Sequence, residues 1–224
     1  KYLIRNSNTV ITSSPMLSEG CSKISGSKEN IKYISSSINM KRYSPYKKHI
    51  KKKNIVIGWT GTHSSIEYLN ILKNVFKILK KKYKLINFKI ISNFVYKLDD
   101  VEIENIEWNK SSEIQDLLEI DVAIYPLPIN EWVKGKSGLK ALQFMALGIP
   151  VVATKVGMNE KIIQNMHNGI LVNNNDEEWI SAIEKLCKDY SLRNNLGKNS
   201  RKTVLENYSY DIIGKEYLKI LNKI

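Results

Sequence analysis

The sequence contains only two cysteines and no apolar run long enough to cross a membrane. Cys21 and Cys187 lie far apart in the chain of 224 residues, which excludes a disulfide framework and a zinc site built from cysteines. A membrane-spanning helix needs about 18–20 consecutive apolar residues, and no segment approaches that length. The first residues also lack the basic and then apolar layout of a signal peptide. These absences favour a cytoplasmic location.

Arginine is scarce although the chain is strongly basic. Lys and Arg number 35 against 22 Asp and Glu, a formal net charge of +13, but only four of the basic residues are arginine. Nucleic-acid-binding surfaces use Arg for bidentate contacts and stacking, so we expect no nucleic-acid partner and keep such a domain as a second alternative. The lysines concentrate in residues 47–53 and 77–84, where a solvated surface, a compositional bias or an anionic membrane could each explain them.

The usual patterns of catalytic metals and nucleophiles are missing as well. His49, His63 and His167 have no ligand-like spacing to one another or to paired carboxylates, so we expect no metal. No G-x-S-x-G motif supports hydrolysis by a Ser, His and Asp triad. Neither a Walker loop nor the dinucleotide fingerprint G-x-G-x-x-G occurs.

From Asn54 onwards the sequence instead alternates short apolar strands with amphipathic helices. The predicted strands are NIVIG, FKIIS, a weaker VEIENIEW, DVAIYPLP, IPVVAT and ILV. Alternation with short connections indicates parallel β-α-β units. We therefore predict an α/β fold with a doubly wound, Rossmann-like parallel sheet. Before it, residues 1–40 read as the tail of another domain, and the Lys-dense residues 41–53 read as a basic linker.

Three loops at the predicted carboxyl ends of strands carry residues suited to binding, because ligands of open α/β sheets bind there. In residues 58–65, Gly61 allows close backbone approach and Thr62 offers a hydroxyl before a helix whose free amides would attract an anion. A tight turn is the alternative. His63 in this loop is a candidate for the site or a residue that hydrogen-bonds locally.

The second loop, residues 131–140, places Lys136 directly before a predicted helix with Ser137 as its N-cap. The ammonium and the helix amides could then act together on one diphosphate, and Lys140 lies one turn along on the same face. A surface Lys-Gly turn is the alternative. The third loop, residues 155–160, either lines a sugar-sized pocket or is a plain connection, and its candidate residues are Gly157, Met158 and Asn159.

These motifs resemble those of a known family. The stretch KGKSGLKALQFMALGIPVVATKVGMNEKIIQNMHNGILV is similar to the signature region of family-four, group 1 glycosyltransferases of the GT-B fold. IVIGWTGTHSSIEYL is similar to the glycine loop of one bacterial branch of that family. The resemblance covers about residues 54–224 and implies two Rossmann-like domains, with the nucleotide-sugar donor in the C-terminal one and most of the acceptor site in the other.

The resemblance also implies how the chain divides. Residues 54–205 would be the nucleotide-sugar-binding domain, and residues 1–40 would be a remnant of the N-terminal acceptor domain. Residues 206–224 would form a helix that crosses back to that domain. The chain would then be a fragment, inactive alone, that holds the donor-binding half of the enzyme.

The resemblance also implies roles for individual residues. Lys136 would bind the diphosphate and stabilise it as it leaves, with the amides of Ser137 and Gly138 assisting. Gln143 stands where many relatives have a Glu that binds ribose hydroxyls, and an amide can do the same. The first Glu of the family's pair falls at Gly135. The donor-binding set implied by the resemblance is Gly61, Thr62, Lys136, Ser137, Gly138, Lys140 and Gln143.

The activity that the resemblance implies is transfer of a sugar from a nucleotide diphosphate to an acceptor hydroxyl, with retained anomeric configuration and no required metal or other cofactor. The acceptor would be a sugar or a lipid-linked glycan in cell-envelope polysaccharide or glycolipid synthesis. Such an enzyme could lie peripherally on the inner face of the membrane. A nucleotide-sugar epimerase and a non-catalytic nucleotide-sugar binder of the same fold are the alternatives.

Overall fold

The computed structural model describes residues 1–222, in which eight strands form two parallel sheets. The strands are β1 (Val10–Thr12), β2 (Ile31–Tyr33), β3 (Ile55–Gly61), β4 (Ile86–Ser92), β5 (Ile103–Glu107), β6 (Val122–Tyr125), β7 (Val151–Thr154) and β8 (Ile170–Val172). The larger sheet has six parallel strands in the order β5-β4-β3-β6-β7-β8. The predicted doubly wound fold is thereby confirmed.

Helices connect most of the strands in the described chain. They are α1 (Tyr2–Asn6), α2 (Pro15–Ser25), α3 (Ile66–Asn70), α4 (Lys73–Lys82), α5 (Glu113–Leu118), α6 (Glu131–Lys134), α7 (Leu139–Ala146), α8 (Asn159–Ile162), α9 (Asp176–Lys188), α10 (Tyr190–Asn207) and α11 (Tyr210–Leu221). A 3₁₀ turn, His63–Ser65, precedes α3. Within residues 1–222, no helix combines the length and the hydropathy needed to cross a membrane.

The core lies on both faces of the larger sheet. Along β6, Val122 and Ile124 belong to the cluster covered by α4 and α9, whereas Ala123 and Tyr125 belong to the cluster covered by α7. This division follows from the alternation of side chains along a strand. Strands with two buried faces read as continuous apolar runs, which is why VAIY is apolar throughout.

The order of the strands reverses beside β3. The chain adds β4 and β5 on one side of β3 and then returns to place β6 on its other side. Ile57 of β3 pairs in register with Phe88 of β4 and with Val122 of β6. Loops leaving β3 and β6 therefore diverge and open a crevice at their carboxyl ends.

The helical segments after β3 and after β7 are both interrupted. The segment after β3 is divided into the 3₁₀ turn, α3 and α4, with buried Leu69 and Leu72 on either side of the break. The helix after β7, α8, ends at Ile162. There the Asn168 side chain accepts from the Gln164 N–H at 2.8 Å and donates to the Ile162 carbonyl at 3.1 Å, which replaces helical hydrogen bonds.

Residues 1–40 form a small unit of their own, in which β1 and β2 pair in parallel and α2 connects them. Ser14 caps α2 by accepting from the Leu17 N–H at 3.3 Å, and Pro15 occupies its first turn. The chain returns to this unit after α10, since Ile38 exchanges backbone hydrogen bonds with Tyr208 and Tyr210. Residues 223–224 of the predicted last segment lie outside the described residues.

The segment predicted to be a linker, residues 41–53, is fixed against the larger sheet. Asp121, only 1% exposed, accepts from Lys52 Nζ at 2.6 Å, from Lys47 Nζ at 3.1 Å and from the Val56 N–H at 2.9 Å. Burial raises the pKa of the Asp121 carboxyl, but the contacts with Lys52, Val56 and Lys47 outweigh burial and lower that pKa overall. Two lysines that the sequence placed on a linker thus belong to the fold.

His49 also anchors this segment, through contacts with Asn194 and Gly148. Its backbone N–H donates to Asn194 Oδ1 at 2.9 Å, and its ring Nε2 lies 3.1 Å from the Gly148 carbonyl. Burial lowers the pKa of His49 to about 4, so the folded state keeps the ring neutral. The Arg201 guanidinium donates to the carbonyls of Tyr43, Ser44 and Pro45.

Candidate functional site

A cavity of about 180 Å³ opens at the carboxyl ends of β3 and β6, where the strand order reverses. We call it the switch-point cavity. It is lined by Trp59, Thr60, Gly61, Thr62, Ser64, Ser65, Tyr68, Tyr125, Pro126, Leu127, Lys136 and Lys140. Complete small-molecule sites have volumes of about 300–1,000 Å³. The cavity is therefore large enough for part of a ligand.

The cavity brings together residues that the sequence placed in two separate loops. Gly61 is the last residue of β3 and Thr62 follows it, whereas Lys136 lies just before α7 and Lys140 in its first turn. Ser137 and Gly138 lie between the two lysines at the entry to α7, but they do not line the cavity.

The two lysines give the cavity its charge. Lys136 Nζ lies 5.1 Å from the centre of the Tyr68 ring, in a cation–π contact. Burial lowers the pKa of Lys140, and the more distant Glu113 carboxylate opposes that effect only in part. Neither ammonium forms an ion pair with a carboxylate within residues 1–222. An anion entering the cavity would meet two cations that the protein has not neutralised.

The N-terminus of α7 differs from the prediction in its cap. Gly138, not Ser137, is the N-cap, with φ at 73° in the left-handed region. A Cβ at this position would also collide with the Ile162 side chain, so glycine is required on two grounds. The Gly138 carbonyl accepts the first helical hydrogen bond, from the Leu142 N–H at 3.2 Å. The first-turn amides of α7 therefore lie beside the cavity, between Lys136 and Lys140.

The turn after β3 is not the free-amide pocket that we expected. The Thr62 N–H donates to Ser65 Oγ at 3.1 Å, and the His63 N–H donates to Asn93 Oδ1 at 3.0 Å. These amides are engaged within the loop, so the turn offers hydroxyl groups instead. Thr62 Oγ1 and Ser64 Oγ lie 2.9 Å apart at the rim of the cavity.

Gly61 is needed for packing. A Cβ on Gly61 would collide with the indole of Trp59 and approach Ser65 Oγ at 2.8 Å. Trp59 is only 2% exposed and forms part of the wall beneath the turn. His63 is exposed, contacts the edge of Phe94 and does not line the cavity.

Gln143 lies outside the cavity in a buried polar cluster. Its Nε2 donates to Tyr43 Oη at 2.5 Å and to Glu113 Oε1 at 3.3 Å. Glu113 also accepts from Arg42 Nη2 at 2.6 Å and from Trp108 Nε1 at 3.1 Å. Gln143 Oε1 is buried and has no hydrogen-bond partner among the described residues. The acceptor capacity of this oxygen is therefore not used by the described residues.

The third predicted loop is not brought to the cavity. Met158 is buried in the core and Asn159 Nδ2 donates to the Thr154 carbonyl at 2.9 Å, so both side chains hold the fold. A Cβ on Gly157 would approach Lys134 Cα at 3.0 Å, so this glycine allows its loop to pack closely against the end of α6. A role for residues 157–159 in a sugar pocket stays a prediction.

Sequence reasoning missed the aromatic wall of the cavity. Tyr68 lies one turn into the helical segment after β3, and Tyr125 is the last residue of β6. Tyr125 could have been found from its position, because it stands at the carboxyl end of a predicted strand next to the switch point. Burial, together with the nearby Tyr68, raises the pKa of Tyr125 well above its usual value, so its hydroxyl stays protonated.

No group of three or more His, Cys, Asp or Glu side chains in residues 1–222 is placed to hold a metal ion. That the reaction requires no metal stays a prediction.

Comparison with known proteins identifies the family. Residues 40–203 match the family described as glycosyl transferases group 1. The capsular polysaccharide biosynthesis glycosyltransferase CapM of Staphylococcus aureus is 26% identical over 181 residues, which cover 75% of this chain and 46% of CapM. The chain spans about half or less of the length of such curated relatives.

Solved glycosyltransferase structures share the fold. HepE of Anabaena, in complex with UDP and glucose, superposes with a TM-score of 0.78 at 14% identity, covering 99% of this chain and 65% of HepE. The C-terminal domain of the group 1 protein LpcC from Francisella tularensis has a TM-score of 0.54 at 20% identity. That match covers 79% of this chain and 95% of the LpcC domain. The fold is therefore that of a GT-B glycosyltransferase domain.

Proposed function

The chain belongs to the group 1 glycosyl transferases, and on that premise we propose that it holds the donor-binding half of an enzyme that transfers a sugar from a nucleotide diphosphate to an acceptor hydroxyl. The observation that carries the proposal is the pair Lys136 and Lys140, which face the switch-point cavity without a carboxylate partner in the described chain. A diphosphate supplies the missing negative charge.

In the proposed reaction, the bond between the anomeric carbon of the sugar and the diphosphate oxygen breaks, and the electron pair leaves with the diphosphate. Positive charge grows on the sugar while the acceptor hydroxyl forms a new bond to the same carbon and gives its proton to the departing diphosphate oxygen. Lys136 and the first-turn amides of α7 stabilise the leaving diphosphate more in the transition state than in the ground state. Retention of the anomeric configuration, as the family resemblance implies, is part of the proposal.

We assign binding of the nucleoside to the neighbourhood of Gln143. Its unpartnered Oε1 can accept from a ribose hydroxyl, while its Nε2 is held by Tyr43 and Glu113. Burial raises the pKa of Tyr43 to about 12, so the phenol stays neutral and keeps this arrangement over the physiological range. The Glu113 cluster would then position Gln143 without touching the substrate.

Two comparisons support the substrate class. The HepE structure is described as a complex with UDP and glucose, which favours a uridine nucleotide as donor. CapM is described as an enzyme of capsular polysaccharide biosynthesis, which favours a glycan acceptor in the cell envelope. Residues 1–40 would contribute the edge of the acceptor domain.

The proposal is tested by thermal shift of this chain with UDP, GDP, ADP and CMP. We expect one nucleoside diphosphate to raise the melting temperature selectively, because a ligand that binds only the folded state stabilises it. Lys136→Ala should abolish the shift and Lys161→Ala, on the exposed surface of α8, should keep it. A chain that no nucleotide stabilises would contradict the donor-binding role.

A further inference from the structure

A second cavity, of about 390 Å³, lies at the opposite edge of the sheet, where β3 and β4 begin. Four lysines line it, and we call them the basal lysine patch: Lys53, Lys82, Lys84 and Lys188. They come from three separate parts of the chain, namely the segment before β3, the connection from α4 to β4 and the end of α9. The fold thus joins the two lysine-rich stretches of the sequence into one surface.

The patch keeps a net positive charge. Lys82 and Lys188 flank the Tyr83 ring, with their Nζ atoms 5.5 and 5.6 Å from its centre. Both also contact Glu184, at 2.6 and 3.4 Å. Four lysines and this one carboxylate give a charge of +3. Helix C-termini attract cations, which accounts for Lys82 and Lys188, but Lys53 and Lys84 lie outside the helices.

An exposed aliphatic side chain lies within this charge. Leu85 borders the same cavity and is 51% exposed, although the residues on either side of the cavity floor, such as Ile55 and Ile86, are buried. A leucine surrounded by lysines suits the interface of an anionic bilayer, where the ammonium groups meet lipid headgroups and the leucine enters the acyl boundary. A nucleic-acid surface would need Arg and open aromatic faces on which bases stack. The Tyr83 ring is instead flanked by Lys82 and Lys188, which argues against a nucleic-acid partner.

We propose that the basal lysine patch docks the protein on an anionic lipid bilayer. The patch lies at the beginning of β3 and the switch-point cavity at its end, six residues later, which corresponds to about 20 Å at 3.3 Å per residue. The cavity therefore opens away from the bilayer. The acceptor hydroxyl must then be presented at about that height above the surface, which an extended lipid-linked glycan can do.

The test is flotation of the chain with vesicles of phosphatidylcholine alone and with vesicles that contain about 30% phosphatidylglycerol, as such anionic lipids give bilayers their surface charge. We expect binding to the anionic vesicles that falls as salt is raised. Replacing the four patch lysines by Gln should weaken binding roughly 100-fold or more, since each lysine near the surface contributes about a factor of five. Leu85→Ser should weaken it several-fold.

The matched control removes the same charge elsewhere. Gln at Lys28, Lys97, Lys110 and Lys161, all exposed and outside the patch, should change vesicle binding by about threefold or less because of screening. Equal loss in both quadruple variants, or equal binding to neutral and anionic vesicles, would overturn the proposal. So would binding to RNA with no binding to vesicles. Nucleotide stabilisation of the patch variant is a separate readout, so failure here is distinguishable from failure of the donor site.

Discussion

Lys47 and Lys52 share the buried carboxylate of Asp121 at the edge where the strands begin, whereas Lys136 and Lys140 face a cavity where the strands end. All four carry the same charge. The first pair is neutralised by the protein and holds residues 41–53 against the sheet. The second pair has no carboxylate partner in the described chain, so its charge is available to a ligand.

The difference follows from the energetics of burial. Removing Asp121 from water is costly, and three donors compensate for it in the folded protein. The partial burial of Lys140 is also costly, as its lowered pKa shows, and only the distant Glu113 offsets it. A bound anion would supply the remaining compensation.

Lys136→Ala tests the ligand side of this comparison with the largest expected effect. In the full-length enzyme, kcat should fall by roughly 10²–10³-fold, because one donor to the leaving group is lost. The free energy of unfolding should change by less than about 0.5 kcal/mol, since this side chain is partly exposed. Steady-state kinetics and urea unfolding check the two numbers. A fall in kcat of less than threefold would contradict the assignment.

Asp121→Asn tests the pair of lysines that the protein itself neutralises. The variant leaves Lys47 and Lys52 without a carboxylate, and we expect a loss of roughly 2–4 kcal/mol in urea unfolding, discounted because both lysines reach solvent. Glu19→Gln breaks the exposed pair with Lys23 and should leave the free energy of unfolding nearly unchanged, because solvent screens that pair. If the two variants lost the same stability, residues 41–53 would be a loose linker after all.

The pH dependence of the free energy of unfolding should show that His49 is buried as the neutral ring. Its pKa in the folded protein, about 4, lies below the usual value of 6.5, so the unfolded chain binds the proton more readily. Stability should therefore be constant above about pH 6.5 and fall by up to about 1.4 kcal/mol per pH unit down to pH 4. Unfolding at several pH values measures the slope, and His49→Gln should flatten it. An unchanged slope in that variant would show that another group is responsible.

Lys140→Met should have the smallest effect. Donor affinity should fall roughly tenfold or less, about 1 kcal/mol, because Lys136 and the amides of α7 remain. Unfolding stability should stay the same or rise slightly, since an ammonium with an unfavourable burial is replaced by an apolar side chain of similar length. Titration calorimetry and urea unfolding measure both. A larger loss of affinity than in Lys136→Ala would reverse the ranking of the two lysines.

The sequence predicted the sheet, and it predicted that the loops carrying Gly61 and Lys136 would lie at the carboxyl ends of its strands. Strand periodicity and short connections are local signals, and the carboxyl-end rule converts them into a place for Lys136 and Lys140. The predicted cap of α7 was wrong because a serine was preferred, whereas position 138 has a left-handed backbone and no room for a Cβ beside Ile162. The sequence also could not predict that residues 41–53 are held against the sheet, because Asp121, the carboxylate that binds Lys47 and Lys52, is distant in sequence.

The most direct test of the central claim is a calorimetric titration of the nucleoside diphosphate that stabilises the chain into three proteins: the wild type, Lys136→Ala and Lys52→Ala. If unpaired lysines at the cavity hold the diphosphate, Lys136→Ala loses at least about tenfold in affinity and Lys52→Ala stays within about twofold of the wild type. Equal affinities of Lys136→Ala and the wild type, or an equal loss in both variants, would contradict it.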